Sequence, residues 1–217
     1  MALPHLRPTT YHLPPFWRVA MDTKTLLTVE DLERTPRPIE GGGYELDEGE
    51  LVYVSPNSLQ QWETLHRCYL LLKGFVDAHG LGLVVADTWL EILPHAVRAP
   101  DVAFIPAERL SGVDPRHALK VVPALVIEVL GSCEPALARE IALESSARLA
   151  GTPRDMARRI RQYFDGGVLL VLVLDPDERE VDVYAPNRPL CTLTLRDTLE
   201  APDILPGFSV SVSRLFE

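Results

Sequence analysis

Apolar residues recur every three or four positions along 59–79, where Trp62, Leu65, Tyr69, Leu72 and Val76 form one stripe. That period predicts a helix with a single buried face. Ser58 precedes it as a cap candidate, at the end of the loop Ser55-Pro56-Asn57. YELDEGELVYV (44–54) alternates instead, and reads as two short strands around a turn at Glu48-Gly49. Further strands are predicted at about 83–93 and 101–105. ALVIEVL (124–130) is apolar apart from Glu128, the pattern of a strand covered on both faces.

The ends of these elements are marked as well. Thr28-Val29-Glu30-Asp31 has capping-box spacing and opens a short helix that stops before Pro36. Gly41-Gly42-Gly43 is a flexible turn without the Gly-Lys ending of a phosphate loop. Residues 136–149 read as a helix. Thr152-Pro153-Arg154-Asp155 then starts another, with proline at its first position, running to Phe164 and ending at Gly166-Gly167. VLLVLVL (168–174), a turn at Asp175-Pro176-Asp177 and REVDVYA (179–185) predict a hairpin closing the sheet, followed by strands near 190–195 and 208–212. This order implies an α/β fold, a mixed sheet flanked by helices. Residues 1–27, rich in Pro, His and Thr, read as an irregular N-terminal arm, which leaves 28–217 as one domain.

Composition narrows the class. The 217 residues are 47% hydrophobic and 24% charged, the balance of a soluble protein with one core. The longest apolar run, 168–174, has the length of a strand, so no membrane association is expected. No basic segment leads into an apolar one at the N-terminus, and Cys68, Cys133 and Cys191 fit neither a zinc site nor a disulfide framework. A reduced, cytoplasmic setting is the expectation. The net charge of −10 argues against tight non-specific DNA binding, with Arg154, Arg158, Arg159 and Arg161 as a local exception.

Glu128 is the outlier. A bare carboxylate in so apolar a strand costs several kcal/mol, as an order of magnitude, unless it is paired or metal-bound. The bland alternatives are a strand end in solvent or a structural arginine pair. Asp101, after Pro100 at the start of DVAFI, alone would read as a turn cap. Together the two acids, on neighbouring strands, can hold a hard divalent cation through oxygen ligands, with the backbone carbonyl of Val129 or Leu130 as a further ligand. Mg²⁺ there would orient a water, aid its deprotonation and neutralise charge on a scissile phosphate. Glu50 is a third acid with a solvated hairpin position as its alternative; Glu91 and Asp87 are weaker. Arg159 and Tyr163 are four apart and share a helix face. Arg159 suits a phosphate, or else a solvated basic face, and cannot be a general base near neutral pH. Tyr163 reads as a half-buried packing residue. No His-x-x-x-His zinc pattern or Gly-x-Ser-x-Gly elbow occurs.

YELDEGELVYVSP (44–56), RAPDVAFI (98–105), ALVIEVLGS (124–132), DMARRIRQYFDGGV (155–168), LVLDPDEREVDVY (172–184) and DILPGFSVSVSRLF (203–216) follow one another in the order of a known family. On these segments the chain resembles the Uma2 family, formerly the domain of unknown function DUF820, in the PD-(D/E)XK restriction-endonuclease-like superfamily. The resemblance implies a restriction-endonuclease-like core, Mg²⁺-dependent (or Mn²⁺-dependent) hydrolysis of DNA phosphodiesters, and a homodimer. It places the family's acids on Asp101, Glu128 and Glu50 as metal ligands, its helix lysine on Arg159 and its tyrosine on Tyr163. The chain departs from the pattern at Trp62, where many members carry histidine, at Arg159, and in a longer 133–154 segment that reads as a helical insertion. The competing function is a catalytically impaired relative acting as a binding or oligomerisation module. A metal-dependent phosphoesterase for small substrates would use the same acids in a narrower, acidic pocket.

Overall fold

The protein is described here by a computed structural model covering residues 26–39, 41–131, 148–149 and 153–217. The 1–27 arm falls outside the described residues except at its last two, and most of the 133–154 insertion falls outside them too.

The capping box at Thr28 forms as the sequence dictates. Its hydroxyl accepts from the Asp31 N–H and the Asp31 side chain accepts from the Thr28 N–H, opening helix α1, Val29–Arg34. Strands β1 (Gly43–Asp47) and β2 (Glu50–Val54) are joined by a turn in which Glu48 and Gly49 both have positive φ, the geometry that matches strand twist in tight hairpins. Helix α2 spans Leu59–His79, with Ser58 and Gln61 as a second capping box and Gly80 closing it in the left-handed conformation. Leu65, Leu72 and Val76 are buried as expected, but Trp62 is 48% exposed, and Thr64 and Cys68 complete the buried face.

The expected 83–93 strand is two strands in different sheets. β3 (Gly82–Ala86) ends where Asp87 turns the chain with φ 45°, and β4 (Leu90–Leu93) then pairs with β5 (Ala96–Arg98). β6 (Val102–Pro106) and β7 (Leu125–Val129) follow. The end of the expected 136–149 helix is instead β8, Arg148–Leu149, running parallel to β2; the rest of that helix lies outside the described residues, as does the cap at Thr152. Helix α3 (Pro153–Gly166) leads into β9 (Leu170–Asp175) and β10 (Glu180–Tyr184). That hairpin does not close the sheet, because β11 (Cys191–Leu193) pairs beyond it. β12 (Thr198–Glu200), β13 (Ser209–Ser211) and the short α4 (Ser213–Phe216) finish the chain.

The larger sheet has the order β11-β10-β9-β7-β6-β3, antiparallel except for the central β7–β9 pair, and the smaller has β4-β5-β1-β2-β8. Alternation along β7 splits the core. Leu125, Ile127 and Val129 face α2 with Leu65, Leu72 and Val76, whereas Val126 joins Ala103, Ile105, Val171 and Val173 against Ile160 and Tyr163 of α3. By the same alternation Glu128 shares the α3 face. Helix α3 is therefore clasped on both sides. Its apolar stripe packs on the large sheet, and its polar stripe (Arg158, Arg159, Gln162) meets the small sheet rather than water.

Candidate active site

The β6–β7 ladder ends at Val102↔Ile127, which makes Asp101 and Glu128 the next opposing positions. Both carboxylates line one cleft, close enough for the Glu128 charge to act on Asp101. Asp101 Oδ2 accepts from the Val129 N–H at 2.6 Å, and Oδ1 accepts from Asn57 Nδ2 at 3.4 Å. Asp101 is half-buried and, among the described residues, has no basic group within ion-pair distance. Burial and the neighbouring Glu128 charge push its carboxyl up to about 8.

Glu128 is buried, with Oε1 accepting from Tyr163 Oη at 2.5 Å and from Arg159 Nη1 at 3.1 Å. Burial raises its carboxyl pKa despite the arginine, and burial likewise holds the Tyr163 phenol well above its ordinary value. Tyr163 is fully buried, not half-buried as its place on an amphipathic helix suggests. Arg159 is buried too, so the basic 154–161 cluster divides: Arg154 and Arg161 are exposed, Arg158 pairs with Asp47 and Glu48, and Arg159 enters the site.

Glu50 is not brought to this group. It stands at the turn end of the hairpin opposite Asp47 and does not line the cleft. The hairpin acid that reaches the site is Glu45, which sequence reasoning passed over. Its Oε1 accepts from the Ala99 N–H at 2.8 Å and Arg159 Nη1 at 3.1 Å, and its Oε2 from Arg159 Nη2 at 2.7 Å and Arg98 Nη1 at 3.0 Å. Arg98 in turn donates to Gln162 and pairs with Asp47. The available signal was the alternation Glu45-x-Asp47 in a strand whose other residues are apolar, which requires buried cations opposite. Gln61 was also passed over; beyond its capping bond it donates to the Val129 carbonyl at 3.4 Å. Trp62 and His66 stack on each other at 4.3 Å on the exposed side of α2.

These groups open into a cleft of about 1360 Å³ lined by Asn57, Gln61, Asp101, Glu128, Leu130 and Arg159, among others. Carboxylates outnumber arginines along it, and its outer arginines, Arg37 and Arg116, are exposed. Among the described residues no three His, Cys, Asp or Glu side chains converge as a metal-binding group. A two-carboxylate centre is nevertheless a fit for Mg²⁺, which keeps several waters and uses one or two carboxylates plus substrate phosphate oxygens. The half-buried Asp101 carboxyl beside Glu128, with no cation at ion-pair distance among the described residues, is the feature that such an ion would complete.

The Uma2 family model, described as "Putative restriction endonuclease", matches residues 29–213. The structure resembles the crystal structure of a "putative nuclease belonging to DUF820" from Anabaena variabilis ATCC 29413, with a TM-score of 0.68 and 15% identity over 88% of this chain and 97% of that one. At that identity the likeness shows a shared fold. No curated protein matches the chain. Among the described residues no helix is long and apolar enough to cross a membrane.

Proposed function

The chain belongs to the Uma2 family, and on that premise we propose that it is an endonuclease hydrolysing DNA phosphodiesters with Mg²⁺ or Mn²⁺ held by Asp101 and Glu128. One observation carries this reading. The two carboxylates stand opposite each other just beyond the last β6–β7 pair, both line one open cleft, and Asp101 has no basic partner among the described residues. When bound there, a divalent ion supplies a polarised phosphoryl oxygen and a water of lowered pKa.

The chain's own residues prepare that centre. The Val129 N–H and Asn57 orient Asp101, while Arg159 and Tyr163 fix Glu128 through one oxygen. Arg159 sets a permanent positive charge beside the reacting position, and its guanidinium takes no proton near neutral pH. The excess of carboxylates along the cleft favours divalent cations and disfavours bare phosphate.

The test is nicking and cleavage of plasmid and single-stranded DNA with Mg²⁺ or Mn²⁺, comparing the wild type with Asp101→Ala and Glu128→Ala. Metal-dependent cleavage by the wild type, absent in both variants, is expected. Equal behaviour of all three sinks the assignment. A second reading, an impaired relative that binds without cutting, draws on Glu128 Oε1 already having two donors and on the lack of a three-ligand group among the described residues. It predicts no Mn²⁺ binding and DNA retention or self-association without cleavage.

A further inference from the structure

We propose that Arg159, locked in place by Glu45 and Arg98, is a built-in cation of this centre that fills the Glu45–Glu128 gap in place of a second divalent ion and leaves one ion at Asp101 and Glu128. The inference rests on the metal-dependent reading above and deepens it.

A two-ion phosphodiesterase centre holds its cations about 3.5–4 Å apart and needs carboxylate oxygens shared between them or flanking both. On the Glu128 side of the centre, Glu45 is the acid placed to serve a second ion, because Arg159 Nη1 lies 3.1 Å from an oxygen of Glu45 and 3.1 Å from an oxygen of Glu128. The gap between those two carboxylates is where a second ion would bridge, and the guanidinium fills it. The oxygens that border that gap are already taken. Each Glu45 oxygen already accepts two N–H groups, and Glu128 Oε1 accepts from both Arg159 and Tyr163.

The lock extends behind the arginine. Arg98 holds the side of Glu45 away from Glu128, and Gln162 and Asp47 hold Arg98. Arg159 and Gln162 are three apart on α3, so the helix presents the cation and braces its anchor together. Glu45 and Arg98 are positioning residues: they act through Arg159 and through the orientation it imposes on Glu128. A guanidinium in this place cannot dissociate or deprotonate, so its charge is fixed where an ion would exchange.

The experiment is a Mn²⁺ titration of the full chain without DNA, counting bound ions by electron paramagnetic resonance of the free ion and by calorimetry. The wild type is expected to bind one ion per chain, and Asp101→Asn none. Arg159→Gln leaves Glu45 and Glu128 facing the same gap with no guanidinium between them, and two ions per chain are expected. Arg159→Lys keeps one charge there and stays at one. Two ions in the wild type, or one in a folded Arg159→Gln, overturns the proposal while leaving the metal-dependent reading intact. If Arg159→Gln does not fold, the wild-type count decides. No Mn²⁺ binding to the wild type at millimolar concentration overturns both.

Discussion

The Asp101 carboxylate takes a 2.6 Å hydrogen bond from the backbone N–H of Val129, the residue that follows Glu128 in β7. The β6–β7 ladder stops one position earlier, so a side chain continues what the backbone no longer pairs. That bond fixes the orientation of one acid relative to the strand that carries the other. It also keeps Asp101 in a place where burial and Glu128 push its carboxyl up to about 8.

A pH dependence follows. A carboxyl whose folded pKa is raised binds its proton more tightly in the folded state, so stability falls as pH rises from about 4 to about 8. In EDTA, Asp101→Asn removes that slope. The variant is expected to be more stable than the wild type at pH 8, on the order of 2 kcal/mol, and similar to it at pH 4. Urea unfolding at the two pH values measures the difference.

Glu45 behaves in the opposite sense. Its buried carboxyl is held below the ordinary range by Arg159 and Arg98, against the cost of burial. Its contribution is present above the unfolded carboxylate pKa and lost as pH falls through the lower folded value. Glu45→Gln leaves two buried guanidinium groups short of a counter-charge and costs about 3–5 kcal/mol at neutral pH. The same substitution flattens the acid limb of a thermal-melting profile, which calorimetry would show.

Tyr163→Phe removes one of the two donors to Glu128 Oε1 and leaves Arg159 in place. A loss of about 1–2 kcal/mol of stability is expected, with cleavage reduced about tenfold or less. A Tyr163→Phe protein as inactive as Glu128→Ala would assign the phenol a larger part than orientation. Single-turnover cleavage rates distinguish the two.

Burial pushes the Cys68 thiol up to about 12, while Cys191 is exposed. At pH 8 iodoacetamide should modify Cys191 in the folded protein and leave Cys68 intact until denaturant is added. Peptide mass spectrometry reads each site separately.

The local elements were legible because their determinants are local. Both capping boxes, the Glu48-Gly49 turn and the span of α2 depend on residues within a few positions of one another. The division of 83–93 was not, since a positive φ at Asp87 redirects the chain without a glycine or proline to mark it. Asp101 and Glu128 stood out because each is an acid at the edge of, or inside, an apolar strand. Glu45 did not, because its partners Arg98 and Arg159 are distant in sequence and the strand's second buried face is created only when α3 lies against it. Trp62 was misplaced for a related reason: a helical period identifies a stripe, but the shape of the opposing surface decides where the stripe stops being covered.

The contacts around Arg159 span 114 residues to Glu45 and 31 to Glu128. Such pairings close long loops, and loop closure costs entropy before any contact offsets it. Charged groups that lose water before they meet a partner are penalised further. Assembly of the candidate site is therefore expected to follow formation of the local β1–β2 hairpin. An intermediate that has both sheets but has not yet seated α3 would carry these acids still hydrated and apart. A folding experiment that follows an optical probe on α3 should accordingly lag behind one that follows the sheets.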